Sequence, residues 1–172
     1  MNRFTPLLAA AVLLAACGGT ANNSTQPLAT CSDTGTASVD WPLPQPPKSD
    51  TPPIASASVS GDTFSLTFTS GTPPFQVITQ SGAEFTEDPS GKAVTLSGTD
   101  GASIVLTGFR GDQSNYKGEK KFKSTGPRLL EVAQLGDSEG TVSWGVGLSG
   151  PSCAIVTSNG STLSFQFVQT PS

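Results

Sequence analysis

The 172-residue chain has no histidine, which excludes Ser-His-Asp and Cys-His nucleophile systems and histidine-based metal sites at the outset. Few other residues have the types and spacing for chemistry. Ser114-Asn115-Tyr116-Lys117 has the S-x-x-K spacing, in which a lysine one helical turn away takes up the serine proton. Here the four residues stand in a Gly-, Asn- and Lys-rich stretch without helical period, and the match reads as coincidence. Asp137 and Glu139 are paired carboxylates of the kind used for acid–base work or cation binding. Lying between Gly136 and Gly140, they read first as turn residues that cap local N–H groups and stay hydrated. Asp112 with Asn115 supplies too few oxygen ligands for a calcium loop. No metal site and no cofactor are expected.

The segment Arg110 to Arg128, RGDQSNYKGEKKFKSTGPR, holds most of the nine Lys and Arg residues of a chain with net charge -4. Its cations are Arg110, Lys117, Lys120, Lys121, Lys123 and Arg128, with Tyr116 and Phe122 between them. One reading is a solvated stretch whose lysines prevent edge-to-edge strand pairing. The other is a contact surface for an anionic polymer or a protein, with the aromatics stacking on sugar rings and the lysines meeting carboxylates or phosphates. The acidic balance argues against nucleic acid, which needs clustered cations over a wide surface.

The elements that position these groups read as strands. Charged residues make up only 13% of the chain, while Gly, Pro, Ser and Thr are abundant and the apolar positions favour Val, Ile and Phe, so helix should be scarce. Val142, Trp144, Val146 and Leu148 alternate with Thr141, Ser143, Gly145 and Gly147, the two-residue period of a strand. With Leu129 to Leu135 before it and the turn Gly136-Asp137-Ser138-Glu139-Gly140 between, this predicts a hairpin that drives Trp144 into the core. Phe64, Leu66 and Phe68 share one face of another strand, after a weak first strand Ala55 to Ser60. Phe75 to Thr79 begins a third strand, with Pro73 and Pro74 confined to its entry. Glu84-Phe85-Thr86 reads as a short edge. Lys92 to Leu96 and Ser103 to Thr107 read as a hairpin around Ser97 to Gly101. The last pair is Ala154 to Thr157 and Leu163 to Val168, around an Asn159-Gly160 type I′ turn. The expectation is an all-β, antiparallel β-sandwich of about eight or nine short strands, with an open barrel as runner-up.

The N-terminus reads as a leader. Arg3 precedes the apolar run Leu7 to Leu14, which is too short to span a bilayer. Leu14-Ala15-Ala16-Cys17 resembles the bacterial lipobox, which implies cleavage after residue 16 and a thioether-linked diacylglyceryl group on Cys17, the soft nucleophile of the leader. With Cys17 acylated, Cys31 and Cys153 remain as the possible disulfide pair in an oxidising compartment. A redox or metal role would call for C-x-x-C spacing, which is absent. Residues 17–53 read as a lipidated tether, flexible in GGTANNSTQ and stiffened toward polyproline II in WPLPQPPKSDTPP, with Trp41 resting on the domain flank. Residues 54–172 then form one domain.

Within that domain, Leu130-Glu131-Val132, Gly136-Asp137, Glu139-Gly140, Val142 and Trp144-Gly145-Val146-Gly147-Leu148 resemble the most recognisable motif of the AMIN-like domain of bacterial envelope lipoproteins. Pro74-Phe75-Gln76-Val77 is similar to the proline-aromatic step of that family's third strand. The resemblance runs from about Phe64 to Phe167. Family arginines expected in the strands Thr63 to Phe68 and Thr162 to Phe167 are missing, so ligand contacts made by those arginines do not carry over.

The resemblance implies a β-sandwich without catalytic residues and a role in the envelope, where AMIN domains localise amidases and secretin machinery through the cell wall. The sequence reading is therefore a non-enzymatic lipoprotein, extracytoplasmic and held to the bacterial membrane by its acyl chains. Its expected partner is peptidoglycan, another anionic envelope polymer or an envelope protein. The candidate binding residues are Arg110, Tyr116, Lys117, Lys120, Lys121, Phe122, Lys123 and Arg128. The alternatives are a carboxylate-dependent envelope enzyme using Asp137 and Glu139, and a structural surface lipoprotein without a ligand.

Overall fold

The computed structural model describes residues 28–29, 53–109 and 114–170. The leader 1–16, Cys17, Cys31, Trp41 and Arg110 lie outside the described residues. Among those described there is no helix, and the chain is an all-β structure of antiparallel sheets.

The strands in chain order are β1 (Leu28–Ala29), β2 (Ile54–Ser60), β3 (Thr63–Phe68), β4 (Phe75–Ser81), β5 (Glu84–Thr86) and β6 (Ala93–Thr95). They continue as β7 (Asp100–Thr107), β8 (Lys121–Lys123), β9 (Leu129–Ser138), β10 (Thr141–Leu148), β11 (Ser152–Asn159) and β12 (Thr162–Gln169). One five-stranded sheet has the order β1-β11-β12-β3-β2 and the other β4-β7-β10-β9-β8, while β5 and β6 pair only with each other. The strands that the sequence reading did not single out are β1 and β8, two and three residues long.

The alternating residues of both large sheets meet in one core. Phe64, Leu66 and Phe68 of β3 and Leu163, Phe165 and Phe167 of β12 face Ile104, Leu106, Val142, Trp144 and Val146 of the second sheet. Trp144 is fully buried, with the rings of Phe64 at 5.1 Å and Tyr116 at 5.8 Å between centroids. Each large side chain removed from water in this way contributes about 1.5–3 kcal/mol before entropy is counted. Among the described residues the indole N–H of Trp144 has no hydrogen-bond partner.

Three turns set the registers. Ser138 pairs with Thr141, leaving Glu139 (φ +51°) and Gly140 (φ +73°) as a two-residue turn with both residues left-handed, the type I′ form. The strand therefore runs on through Gly136, Asp137 and Ser138, which the sequence reading placed in the turn; the paired backbone prevails over local turn chemistry. Asn159 pairs with Thr162, so that loop is Gly160-Ser161, with positive φ at the glycine alone. That is the type II′ pattern, one residue later than the expected Asn-Gly I′ turn. Gly61-Asp62 joins β2 to β3 in the same way.

The partner of β6 also differs from the expectation. Ala93, Val94 and Thr95 pair with Thr86, Phe85 and Glu84, while β7 pairs with β4 and β10. The β5–β6 hairpin is thus a flap rather than a sheet edge. It lies on the outer face of the second sheet, where Ala83, Phe85 and Leu96 form a small second core with Ala133 and Leu135. The surface beneath it is made of glycine. A Cβ on Gly147 would stand 2.1 Å from the Ser97 carbonyl oxygen, one on Gly101 2.8 Å from the Phe85 ring, and one on Gly145 3.2 Å from the same ring. The Gly-x-Gly of β10 is there so that the flap can lie directly on the backbone.

The outer face of the first sheet is different in kind. In its central row Ser58 lies opposite Ser65, Ser65 opposite Ser164 and Ser164 opposite Thr157. Ser65 and Ser164 hydroxyls hydrogen-bond at 2.9 Å, and Thr67 and Thr162 of the adjoining row at 3.1 Å. None of β2, β3, β11 or β12 contains a charged residue.

Candidate functional site

The cations gather on and around β8, the edge strand of the second sheet. Register places Lys121 opposite Ala133, Phe122 opposite Val132 and Lys123 opposite Glu131. The Lys-Phe-Lys alternation therefore sends Phe122 inward and both lysines outward. Phe122 packs 6.4 Å from Phe64 and 6.3 Å from Trp144. Lys117, Lys120 and Lys123 are exposed and make no ion pair among the described residues.

The aromatics that alternate with the lysines in sequence are not beside them in space. Tyr116 is buried, its ring on Trp144 and its hydroxyl donating to the Glu119 carbonyl at 2.8 Å. Burial pushes the Tyr116 phenol above its ordinary value; a hydrogen bond with the Ala57 backbone opposes this, and the Glu119 charge adds to it. Tyr116 and Phe122 thus belong to the core, and stacking on sugar rings has no support from their placement. The period-two pattern at Lys121-Phe122-Lys123 was the available signal.

Two cations of the candidate set have fixed internal roles. Lys121 Nζ lies 3.0 Å from Glu131 Oε1, although the lysine side chain stays 58% exposed. The second oxygen of Glu131 accepts from the Ser97 amide at 2.8 Å and the Ser97 hydroxyl at 3.0 Å. Loss of hydration pushes the Glu131 carboxyl up, but the Ser97 amide, the Lys121 ammonium and the Ser97 hydroxyl together hold it below its ordinary value. Arg128 donates its guanidinium to Gln169 and its backbone N–H to Asp62 Oδ1, which also takes the Leu129 N–H. Asp62 thereby ties the β2–β3 turn to the entry of β9.

The paired carboxylates are separated in role. Asp137 accepts the Ser114 N–H at 2.6 Å on Oδ1 and the Ser114 hydroxyl at 2.7 Å on Oδ2. Glu139 is exposed at the tip of its turn. Ser114 is itself fully buried while Lys117 is exposed, so the S-x-x-K spacing brings together no nucleophile and base. A shallow cleft of about 210 Å³ lies beside the cationic edge, lined by Glu87, Asp88, Lys120, Gln134 and Asp137 among others. Among the described residues no group of three or more Cys, Asp or Glu is placed to hold a metal ion.

Cys153 is disulfide-bonded, and its strand carries β1 on its free edge, with Leu28 opposite Val156 and Ala29 opposite Ile155. No helix among the described residues is long and apolar enough to cross a membrane.

Fold and edge together define an antiparallel β-sandwich that carries lysines on one edge and hydroxyls on one face. Comparison with family models, with curated proteins and with solved structures finds no match. The AMIN-like resemblance therefore rests on the residues that carry it.

Proposed function

We propose that this chain is a lipid-anchored, non-catalytic binding or scaffolding module of the bacterial cell envelope, and that its lysine edge engages peptidoglycan or another anionic envelope polymer. The observation that carries the reading is the grouping of Lys117, Lys120 and Lys123, all exposed and unpaired among the described residues, on and beside one edge strand. Unpaired ammonium groups on a common edge attract a polyanion and hold it in a salt-dependent way. The carboxylate-enzyme reading draws no support from Asp137, whose oxygens are taken by Ser114.

The same lysines on a three-residue edge strand would also serve to block edge pairing, which favours the second reading, a structural lipoprotein without a ligand. Sedimentation of the full-length protein, in mild detergent, with purified anionic sacculi separates the two. The wild-type protein should pellet at low salt, and Lys117→Ala/Lys120→Ala/Lys123→Ala should weaken pelleting at least about tenfold. Wild-type protein left in the supernatant at low salt would overturn the binding role. The anchor is tested separately by labelled palmitate, whose incorporation should disappear in Cys17→Ser.

A further inference from the structure

Asn159 and Gly160 have no part in the lysine edge. Asn159 ends β11 and pairs with Thr162, so Gly160 and Ser161 alone form the turn into β12. The Asn159 side chain is exposed, and neither it nor the Gly160 N–H has a hydrogen-bond partner among the described residues. Gly160 has φ +59°, and no atom lies within 4 Å of the place a Cβ would take. A side-chain amide followed directly by an unhindered, unengaged main-chain nitrogen can close a five-membered ring with it. We propose that Asn159 is a deamidation site of the folded protein, converted through a succinimide to aspartate and isoaspartate.

The reaction consumes only water. Hydroxide from solvent removes the Gly160 amide proton, the nitrogen bonds to Asn159 Cγ, the Cγ–Nδ2 bond breaks and ammonia leaves. Water then adds to one carbonyl of the imide: at Cγ it leaves aspartate, and at the main-chain carbonyl it leaves isoaspartate. Ring closure requires Asn159 to turn out of its extended backbone. The cost is one terminal pair, Asn159 with Thr162, because a hairpin end opens far more easily than the sheet as a whole.

The chain holds its own comparison at Asn115, which is also exposed. The nitrogen that follows it belongs to Tyr116, whose N–H donates to the Ser114 hydroxyl at 3.2 Å and whose ring is buried against Trp144. That nitrogen is engaged and anchored in the core, so the fold protects Asn115 and leaves Asn159 open. Either product adds a negative charge to a hairpin whose strands contain none. Isoaspartate also lengthens the main chain by one carbon beside the turn whose Ser161 carbonyl accepts the Phe68 N–H at 2.8 Å, and so loosens that end of the sheet.

The test is peptide mass mapping of the full-length protein, held in mild detergent at mildly alkaline pH, both native and in guanidinium chloride. In the native protein the Asn159 peptide should gain about 1 Da as a pair of isomers, at no less than roughly one-tenth of its rate in denaturant. The Asn115 peptide should slow by more than about tenfold on folding. The gain should be absent in Asn159→Gln, whose longer side chain would have to close a six-membered ring. An Asn159 peptide that stays unchanged in the native protein, or that slows by more than about tenfold on folding, would overturn the proposal. So would equal slowing of the two asparagines, or aspartate formed without isoaspartate, which is the mark of direct hydrolysis.

Discussion

Gly147 of β10 lies directly opposite Gly101 of β7, and the β5–β6 flap rests on both. The pair is the floor of a third layer, and its tolerance for a side chain is set by atoms far away in sequence. A Cβ at Gly147 meets the Ser97 carbonyl oxygen at 2.1 Å, which is backbone and cannot give way, whereas at Gly145 the nearest atom is Leu135 Cδ1 at 3.1 Å, the end of a flexible side chain. Gly147→Ala should therefore cost about 2–4 kcal/mol and Gly145→Ala clearly less. Urea unfolding of the two variants checks the order; equal costs would mean that the flap is not seated as described.

Glu131 is buried, and its carboxyl is held below its ordinary value, by the Ser97 amide and Lys121 against the pull of burial. A carboxyl depressed in the folded state adds stability that is present above the unfolded-state value and is lost as pH falls through the lower folded-state value. Wild-type stability should thus decline on acidification across that window, and Glu131→Gln should flatten the decline while lowering stability at neutral pH by about 1–3 kcal/mol. Denaturant midpoints measured from neutral pH down to acid follow both effects.

Tyr116 is the single tyrosine of the chain, so its ionisation can be followed by absorbance without overlap. Its phenol is raised chiefly by burial, and the native protein should titrate above a free tyrosine. The sign is opposite to that of Glu131: this contribution is complete below the unfolded-state value and is lost as pH rises through the folded one. An ordinary titration curve would put Tyr116 back on the surface among the lysines.

Cys153 should be bonded to Cys31. Cys153 is disulfide-bonded, and of the three cysteines of the chain Cys31 is the partner left once Cys17 is acylated. Non-reducing peptide mapping should recover the two peptides linked, and reduction should cost about 4–5 kcal/mol on the chain-entropy model. Recovery of Cys153 linked to Cys17 would refute both this pairing and acylation of Cys17.

What could be read from the sequence is what depends on period. Phe64, Leu66 and Phe68 on one face, the alternation around Trp144 and the two strands of the closing hairpin are all present as read. Period assigns a face and says nothing about a neighbour, which is why Ala93–Thr95 was matched with the following strand when its partner is Glu84–Thr86. The glycines of β10 were legible as part of a motif, but their reason was not, because the atoms that exclude a side chain there come from Phe85 and Ser97. At the cationic edge, cations outside and aromatics inside follow from the alternation at Lys121-Phe122-Lys123, whereas their closeness in sequence suggested one mixed surface.

The glycine floor has a consequence for solvent access. Gly101, Gly145 and Gly147 have no side chains to shield the peptide groups between β7 and β10 on their outer side, so the segment from Gly82 to Ser97 that contains the β5–β6 hairpin, together with Leu135, covers that stretch of main chain. Amide deuteration there should register how often this roof lifts, while the amides of β3 and β12, covered by their own hydroxyl-bearing side chains, register the opening of the sandwich itself.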